Sequence, residues 1–443
     1  MTGERIKIAQ IVPGVARSTY CENCLRDAAL FREFLRAGHE AYIVPLYLPF
    51  EPDGQRPAKD MPMFFGGINV YLQQKLGLFR KTPRWFDRFF DNPRILSWLA
   101  RRSSMVNARF LGKTTVSMLK GQNGRQAKEA LRLAQWLALP QNRPDVVVLS
   151  NALLAGLVGV LKDTLGCAVV CLLQDEDKFL DSLPMPYSEE SWDILREILR
   201  GVDMFAAPSS YYKQVMQSRL DINADKIAVV PGGLDPQDYS PAQGKPQTPV
   251  IGFLSRMSRS MGVETLVDAF EHIRRRHGLS GIKLHIAGVK QKEDYEFMQA
   301  VGRRIQAAGL GGVVEIIENP EHESKLDFLR GLSVMCVPAA QPPAYGFYVI
   351  ESLACGVPAV VPDIGGLPEL IEQTGGGSVY DHTDPAALEK ELISLFNDPK
   401  RLEECGRRGR EAVLQEFNIE KTAAQMLSVF KAAIENSSGG ENA

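Results

Sequence analysis

Residues 345–369 constrain the fold more than any other part of this sequence. They read YGFYVIESLACGVPAVVPDIGGLPE. Apolar residues recur at helical spacing from Val349 to Ala354, and Gly356 followed by Pro358 ends that helix. A short apolar run comes next, which is typical of a buried parallel strand, and a Gly-Gly turn follows it. This order of turn, helix, strand and turn predicts an α/β fold.

The same stretch has the composition of a nucleotide site. Glycine turns that open helices bind phosphate groups, because the first backbone N–H groups of a helix have no partners within it. Gly346 precedes the first helix and Gly366 the second. Glu351 lies on the first helix, and a carboxylate beside a phosphate site suits the two hydroxyls of a ribose. The alternative is an ordinary α/β unit whose Glu351 is merely solvated.

Length and composition restrict the class of protein. A chain of 443 residues predicts two domains of roughly 200 residues each. The net charge of −2 does not favour nucleic acid as a partner. No apolar run reaches the ~20 residues of a membrane span, and the first residues do not resemble a signal peptide. The seven cysteines, five of them scattered, favour a reducing cytoplasm over a disulfide framework.

Strand and helix patterns alternate along most of the chain. Six strands are predicted before residue 235 and six after residue 250. Residues 236–249 are rich in Pro, Gln and Gly and form the predicted linker. We therefore predict an N-terminal domain at 1–235, a C-terminal domain at 250–418, and a helix and tail at 419–443. The last seven residues are predicted to be disordered, and a ligand is expected in the cleft between the domains.

The first loop excludes one common function and leaves another question open. It contains Gly14 but no G-x-G-x-x-G sequence, which weighs against an NAD enzyme. Cys21 and Cys24 form a C-x-x-C pair, which can be redox-active or half of a zinc site. No second pair of Cys or His residues completes a zinc set. Two packed thiols near a helix N-terminus are the favoured interpretation.

An insertion at about residues 50–130 interrupts the α/β alternation. Residues 75–113 carry two acidic and ten basic residues, with aromatic residues between them. This composition suits an interfacial membrane patch or an anionic acceptor. A second interpretation is a helical insertion whose aromatic residues form a core and whose charges are solvated. A nucleic-acid surface is the third, and it is disfavoured because no nucleic-acid motif accompanies the segment. The basic residues are Lys75, Arg80, Lys81, Arg84, Arg88, Arg94, Arg101, Arg102, Arg109 and Lys113.

Polar residues follow the predicted strand at residues 168–173. They are Gln174, Asp175, Glu176 and Asp177, at the end of a parallel strand where ligands bind in open α/β sheets. The two aspartates can hold a divalent metal, cap the next helix or contact a substrate. Capping or substrate contact is favoured, because no further metal ligands can be placed.

Four motifs together resemble family-4 glycosyltransferases, which have the two-domain GT-B architecture. They are PGGLD at 231–235, SRMSRSMG at 255–262, ESLACGVP at 351–358 and GGLPE at 365–369. The resemblance covers about residues 6–435 and is closer to one bacterial subgroup. Elements of that subgroup present here are CxxCLRD at 21–27, GHE at 38–40, PLY at 45–47, GGINVY at 66–71, LQDED at 173–177 and SSYY at 209–212.

This resemblance implies transfer of a sugar from a nucleotide-sugar donor, with retention at the anomeric carbon and without a metal or other cofactor. Arg256 would neutralise the charge that grows on the leaving phosphate. Gln174 or Asp175 stands where the family has a histidine near the reacting sugar. The implied donor-binding residues are Gly14, Arg256, Tyr345, Gly346, Phe347, Glu351 and Gly366.

Three positions depart from the family pattern. Met261 replaces a lysine that would contact the diphosphate, and Pro343 replaces a glutamate that positions donor sugar hydroxyls. Glu22 replaces a glycine of the first loop, and its charge near phosphate would add repulsion. Losing two charged contacts of about 2–3 kcal/mol each would cost roughly 10³-fold in rate.

Two functions from different classes follow. The first is a cytoplasmic glycosyltransferase, peripheral to the inner face of the membrane if the basic insertion binds lipid, with a glycan or lipid-linked acceptor. The second is a catalytically weakened relative that binds a glycan, nucleotide or partner. A nucleotide-sugar epimerase on the same architecture is a third candidate, against which the family motifs argue.

Overall fold

The structure is a computed structural model that describes residues 5–14, 22–47, 64, 108–241, 244, 246–276, 279 and 281–439. The basic segment at residues 75–113 lies almost entirely outside these ranges. The predicted membrane contact of that segment therefore stays a prediction, as does the state of the Cys21–Cys24 pair.

The N-terminal half is built on a parallel sheet of six strands. Their order is β2-β1-β3-β4-β5-β6, so the chain starts near one edge and returns past its first strand. Most strand residues are buried and apolar, as expected for a sheet covered on both faces. The strands are β1 (Lys7–Val12), β2 (Glu40–Pro45), β3 (Val146–Leu149), β4 (Ala168–Leu172), β5 (Met204–Ala207) and β6 (Ile227–Val229).

Helices lie between consecutive strands, as parallel pairing requires. Asn151 caps the 3₁₀ helix that follows β3, and Ser209 caps the α-helix that follows β5. Each accepts a backbone N–H group with its side-chain oxygen. The helices of this half are α1 (Glu22–Arg36), α2 (Ala108–Leu119), α3 (Ala127–Leu137), α4 (Val158–Leu165), α5 (Glu176–Asp181), α6 (Tyr187–Ile198) and α7 (Ser210–Leu220).

The C-terminal half contains a second parallel sheet of six strands, in the order β12-β11-β10-β7-β8-β9. Its strands are β7 (Val250–Leu254), β8 (Lys283–Gly288), β9 (Val314–Glu318), β10 (Val334–Cys336), β11 (Ala359–Pro362) and β12 (Gly377–Tyr380). The helices are α8 (Val263–Arg276), α9 (Tyr295–Ala307), α10 (His322–Arg330), α11 (Phe347–Ala354), α12 (Leu367–Thr374), α13 (Ala387–Asn397), α14 (Pro399–Glu416) and α15 (Ile419–Gly439).

The last helix, α15, packs against the N-terminal half rather than the half that precedes it. Met426 and Phe430 lie in one apolar cluster with Leu30 and Phe34 of α1 and with residues of β3 and β4. The Phe34 and Phe430 rings meet edge to face, with their centroids 5.4 Å apart. The chain therefore crosses between the two halves twice, before β7 and again before α15.

The twelve predicted strands are confirmed, with ends that differ by at most two residues. These strands could be predicted because their successive side chains point to opposite faces of a sheet that is buried on both sides. In β1, Ala9 and Ile11 pack in the apolar cluster on one face, and Ile8 packs in the cluster on the other face. The predicted disorder is wrong for residues 437–439, because α15 continues to Gly439. Within the described part of the chain, no helix combines the length and apolar character that crossing a membrane requires.

Candidate active site

A cavity of about 210 Å³ lies between the two halves, at the carboxyl ends of their strands. Arg26, Gln174 and Lys178 line it from the N-terminal half, and Ser255 and Met261 line it from the C-terminal half. Parallel sheets place the loops after their strands at one edge, so this is the expected position for a ligand. Both halves and helix α15 contribute to its walls.

The turn at residues 343–346 forms the wall in front of helix α11. The Tyr345 hydroxyl donates to the carbonyl oxygen of Gly232, at 2.8 Å. Burial, followed by the charge of Glu369, raises the pKa of this hydroxyl well above its usual range, so it stays a donor. Gly346 and Phe347 also line the cavity at the start of α11, where backbone N–H groups are available to an anion.

Hydrogen bonds across the cleft hold the two halves together at this turn. The backbone N–H of Ala344 donates to Asp175 Oδ1 at 2.9 Å, and Ser209 Oγ donates to the Ala344 carbonyl at 2.6 Å. The carboxylate of Glu369 accepts the backbone N–H groups of Ser210 at 2.9 Å and Tyr211 at 3.3 Å. A carboxylate at the N-terminus of α7 is also favoured by the helix dipole. The conformation described is therefore closed around the cavity.

Gln174 faces the cavity with a defined orientation. Its Nε2 donates to the Ser150 carbonyl at 2.6 Å, and its backbone N–H donates to Glu176 Oε2 at 2.6 Å. Its Oε1 is buried and has no hydrogen-bond partner among the residues that the structure describes. The side chain thus offers a hydrogen-bond acceptor within the cleft.

Comparison with known protein families decides what this architecture belongs to. Residues 237–412 match the family described as Glycosyl transferases group 1, and residues 114–238 match Glycosyltransferase Family 4. The two matches meet at residues 237–238, within the predicted linker, and together they span residues 114–412. The chain belongs to glycosyltransferase family 4.

Related proteins match about half of this chain, at less than 30% sequence identity. The chain is 28% identical to the alpha-maltose-1-phosphate synthase of Mycolicibacterium smegmatis over 268 residues, which is 55% of this chain and 67% of that protein. It is 28% identical to the D-inositol 3-phosphate glycosyltransferase of Segniliparus rotundus over 220 residues, or 47% of each protein.

Solved structures share the fold over nearly the whole chain. The sucrose-phosphate synthase from Thermosynechococcus elongatus aligns with a TM-score of 0.69 at 17% identity, covering 96% of this chain and 98% of that one. The Anabaena protein HepE, solved in complex with UDP-glucose, aligns with a TM-score of 0.66 at 14% identity, covering 96% and 100%. The two parallel sheets facing a cleft are therefore the GT-B fold, as expected.

Five of the predicted site residues of this glycosyltransferase line the cavity: Gln174, Asp175, Tyr345, Gly346 and Phe347. The structure contradicts one of the three roles considered for Asp175 from sequence, the capping of the next helix. As N-cap residue of α5 it makes no side-chain capping bond. Its Oδ1 instead binds the Ala344 N–H and Lys178 Nζ, the latter at 2.6 Å. Whether these residues act in catalysis or donor binding stays a prediction.

Arg256 does not line the cavity, although its neighbour Ser255 does. Its Nε donates to Asp294 Oδ2 and its Nη2 to Glu293 Oε1, each at 2.8 Å. Burial opposes the charged guanidinium, but the two carboxylates outweigh it and raise the pKa of Arg256. Arg259, the next arginine along the chain, packs over the Phe297 ring and also lies outside the cavity lining.

Glu351 is in a different environment from the one expected for a ribose ligand. The carboxylate is fully buried, at 0% exposure, and does not line the cavity. It accepts hydrogen bonds from Lys325 Nζ at 2.5 Å and from the Tyr239 hydroxyl at 2.6 Å. The sequence interpretation of a solvated Glu351 is therefore wrong, and its ribose contact stays a prediction that requires an exchange of partners.

The two predicted glycines outside the cavity lining have separate structural roles. Gly14 follows β1 with a φ of +93°, a conformation that side chains other than glycine's rarely allow. A Cβ at Gly366 would lie 2.7 Å from the Ala344 carbonyl and 3.1 Å from Ser209 Oγ. Gly366 thus leaves room for the Ala344 carbonyl of its own half and for the Ser209 side chain of the other half.

Two of the three departures from the family pattern lie at the site. Met261 and Pro343 both line the cavity. That they stand in place of a lysine and a glutamate of the family stays a prediction. Glu22 begins helix α1, but its side chain is outside the described part of the structure. The repulsion predicted for it stays a prediction.

Sequence reasoning missed residues that only the closed fold brings to the cavity. Lys178 follows the predicted polar run by one residue. Thr422 and Met426 come from α15, whose return to the N-terminal half has no local sequence signature. Arg26 lies within the CxxCLRD motif, and that motif was the one signal that pointed to it.

A possible metal cluster occurs elsewhere. Among the described residues, Asp363, Asp381 and His382 offer ligand atoms within 4.8 Å of one another, and all three are exposed. They lie after β11 and β12 and do not line the cavity. The absence of a cofactor, implied by the family resemblance, stays a prediction.

Glu176, which directly follows the cavity-lining residue Asp175, is itself buried in the core. Its buried carboxylate accepts hydrogen bonds from the backbone N–H groups of Ala152 and Gln174 and from the Tyr212 hydroxyl. Burial raises the pKa of Glu176, and these hydrogen bonds only partly oppose the rise. The folded protein therefore binds a proton here more readily than the unfolded chain does.

This raised pKa predicts a pH dependence. Above the unfolded pKa of about 4.3 for Glu, the folded state holds more protons, so the contribution of Glu176 to stability falls as pH rises toward the folded pKa. We expect Glu176→Gln to gain stability relative to the unmodified protein over this window. Urea unfolding from pH 4 to 8 measures the difference, with exposed Glu189→Gln as control. A difference that does not change with pH contradicts the prediction.

Proposed function

We propose that this glycosyltransferase moves a sugar from a nucleotide-sugar donor to a hydroxyl of a glycan or lipid-linked acceptor, with retention of configuration. The observation that carries the proposal is the cavity shared by the two halves. On one wall the turn at 343–346 opens helix α11, where phosphate oxygens are stabilised by backbone N–H groups. On the other wall Gln174 offers a polar contact to a sugar. The UDP-glucose complex of HepE supports this class of donor.

The charged groups of the cavity support retention. Inversion requires a general base on the acceptor hydroxyl. Among the described lining residues, Asp175 is the carboxylate, and its Oδ1 is bound to Ala344 N–H and Lys178. No described histidine lines the cavity. A reaction in which the departing phosphate takes the proton needs no such base. The basic and aromatic composition of residues 75–113 supports an acceptor at or near a membrane.

The test is a calorimetric titration with UDP, ADP and GDP and their glucose conjugates, followed by an assay for release of the nucleoside diphosphate. We expect one nucleotide series to bind and to be slowly hydrolysed. NMR of the released sugar, or of a transferred product, then gives its anomeric configuration. Lack of binding at millimolar nucleotide overturns the proposal, and binding without turnover favours the weakened relative.

The substitution Met261→Lys tests whether the phosphates of the donor bind beside Met261. It returns a cation to the cavity wall where the family has one, and a hydrogen bond to a charged group contributes about 1.5–3 kcal/mol. We expect the nucleoside diphosphate to bind at least about tenfold more tightly. Met185→Lys, at an exposed position outside the cavity lining, adds the same charge and is the control. Equal effects of both substitutions indicate a general charge effect and place Met261 away from the phosphates.

A further inference from the structure

Three buried oxygen atoms without partners lie at neighbouring strands of the N-terminal sheet. They are Gln10 Oε1 on β1, Ser150 Oγ after β3 and Gln174 Oε1 after β4, and none has a hydrogen-bond partner in the described structure. The three strands are adjacent in the order β1-β3-β4. Buried polar atoms are nearly always bonded, so such a group calls for an explanation. Of the three residues, Gln174 lines the cavity.

The orientation of the Gln174 amide determines what it can bind. Its Nε2 lies 2.6 Å from the Ser150 carbonyl oxygen. The reverse assignment would place two acceptor oxygens at this distance, which is repulsive, so the nitrogen must face Ser150. The atom left for a ligand is Oε1, which accepts hydrogen bonds and cannot donate them. Its partner must therefore be a donor such as a hydroxyl, and a carboxylate or phosphate is disfavoured.

The Ser150 carbonyl is itself held by Arg26. Arg26 Nη2 donates to it at 3.3 Å, while Nε and Nη2 both bind Asp27 Oδ1, at 3.1 Å and 2.7 Å. The two side chains are 14% and 3% exposed. A guanidinium that donates two hydrogen bonds to a buried carboxylate has little freedom to move. Arg26 therefore fixes the Ser150 carbonyl, and this carbonyl in turn orients the Gln174 amide.

We propose that Arg26, held by Asp27, is a positioning residue that orients Gln174 through the Ser150 carbonyl, and that Gln174 Oε1 selects a sugar by accepting a hydrogen bond from one of its hydroxyls. The proposal rests on the proposed function, because the sugar is that of the nucleotide-sugar donor. The ligand group is neutral and hydroxyl-bearing. Gln174 then determines which donor sugar is preferred, and Arg26 determines how large the preference over other sugars is.

The experiment compares UDP-glucose with its 2-, 3-, 4- and 6-deoxy analogues, using the ADP or GDP series if that binds more tightly in the titration above. The measurements are Kd and the kcat/KM of donor hydrolysis. For the unmodified protein we expect one analogue to lose about tenfold to a hundredfold, because the buried amide oxygen is left unpaired. In Gln174→Leu the same analogue and UDP-glucose should be treated alike. Gln214→Leu, exposed on α7, is the matched control.

Arg26→Met separates positioning from a general structural role. We expect the ratio of kcat/KM values for UDP-glucose and the discriminated analogue to fall several-fold toward one, with the Kd for UDP changed by less than about twofold. Arg26→Lys should restore part of the ratio, and Arg200→Met on the surface should leave it unchanged. A residue needed only for folding would lower thermal stability without changing this ratio.

The outcomes divide cleanly. If UDP and UDP-glucose bind but no analogue is discriminated, or if Gln174→Leu keeps the discrimination, the assignment of Gln174 is wrong and the proposed function stands. If Arg26→Met keeps the full ratio, Arg26 is not a positioning residue. If no nucleotide-sugar binds, the proposed function fails and this inference fails with it.

Discussion

Lys325→Met is expected to lower the free energy of unfolding of the C-terminal half by about 3–5 kcal/mol, the usual cost of breaking a buried ion pair by removing one partner. Lys325 and Glu351 are 3% and 0% exposed, and their Nζ and Oε1 atoms are 2.5 Å apart. Methionine keeps the length of the lysine side chain but removes its charge. The Glu351 carboxylate then remains in the interior with one of its stabilising partners removed.

Guanidinium unfolding measures this loss, and a second variant tests its cause. Lys325→Met combined with Glu351→Leu removes both charges and should recover much of the lost stability, because well-packed apolar replacements of buried ion pairs are often neutral. Arg275→Met removes an exposed partner of Glu271 on α8 and should change stability little. If the double variant is as unstable as Lys325→Met alone, packing rather than charge explains the effect.

The carboxylate of this pair also contacts the segment that connects the two halves. The Tyr239 hydroxyl also donates to Glu351, and Tyr239 belongs to the segment that leads from one half to the other. Arg410 Nη1 donates to the backbone carbonyl of the same Tyr239. Glu351 thus anchors the connecting segment to the C-terminal half. Tyr239→Phe should loosen this anchor while leaving the ion pair in place.

Arg256→Ala is expected to lower kcat/KM for donor turnover by about 10²–10³-fold, the range seen when one preorganised group that stabilises transition-state charge is removed. The guanidinium is 39% exposed and is fixed by Asp294 and Glu293 through Nε and Nη2. The hydrogen bonds of Arg256 within the described part of the chain use Nε and Nη2, which leaves Nη1 as the nitrogen available to a phosphate oxygen. Fixed orientation is what makes such a cation effective.

Two substitutions separate charge from geometry at Arg256. Arg256→Lys keeps the charge but loses the planar fork that Asp294 and Glu293 hold, and should recover only part of the activity. Arg303→Ala, exposed on α9, removes a cation of the same half and should have no effect. Donor hydrolysis is the readout for all three variants. Activity that survives Arg256→Ala shows that the diphosphate is neutralised elsewhere in the cleft.

The fold was predictable because its determinants are local. Most strands are short apolar runs bounded by turn residues, and most helices place apolar residues at helical spacing, as at Val349–Ala354. The polar run after β4 and the glycine turn before α11 end strands that point into the same cleft. The resemblance to family-4 glycosyltransferases predicted Gln174, Tyr345, Gly346 and Phe347 as residues of one site, and all four line the cavity.

The environment of individual charges was not predictable in the same way. Glu351 lies 26 residues from Lys325 and 112 from Tyr239, and no sequence rule brings these three groups together. Arg256 meets Asp294 only because β7 and β8 are neighbours in the sheet. A charged residue in a sequence motif therefore identifies a candidate site residue. The groups that pair with it in the folded protein decide whether it is free to bind a ligand.

Residues 345–369 illustrate both sides of this division. The sequence by itself determined that they form a turn, a helix, a buried strand and a second turn, because glycine and proline positions and apolar spacing act over a few residues. Only the tertiary structure decided which of their groups face the cleft. Tyr345, Gly346 and Phe347 line it, whereas Glu351 is turned into a buried ion pair. The physical reason is that the burial and pairing of a charge depend on every element packed around it, including segments more than a hundred residues away.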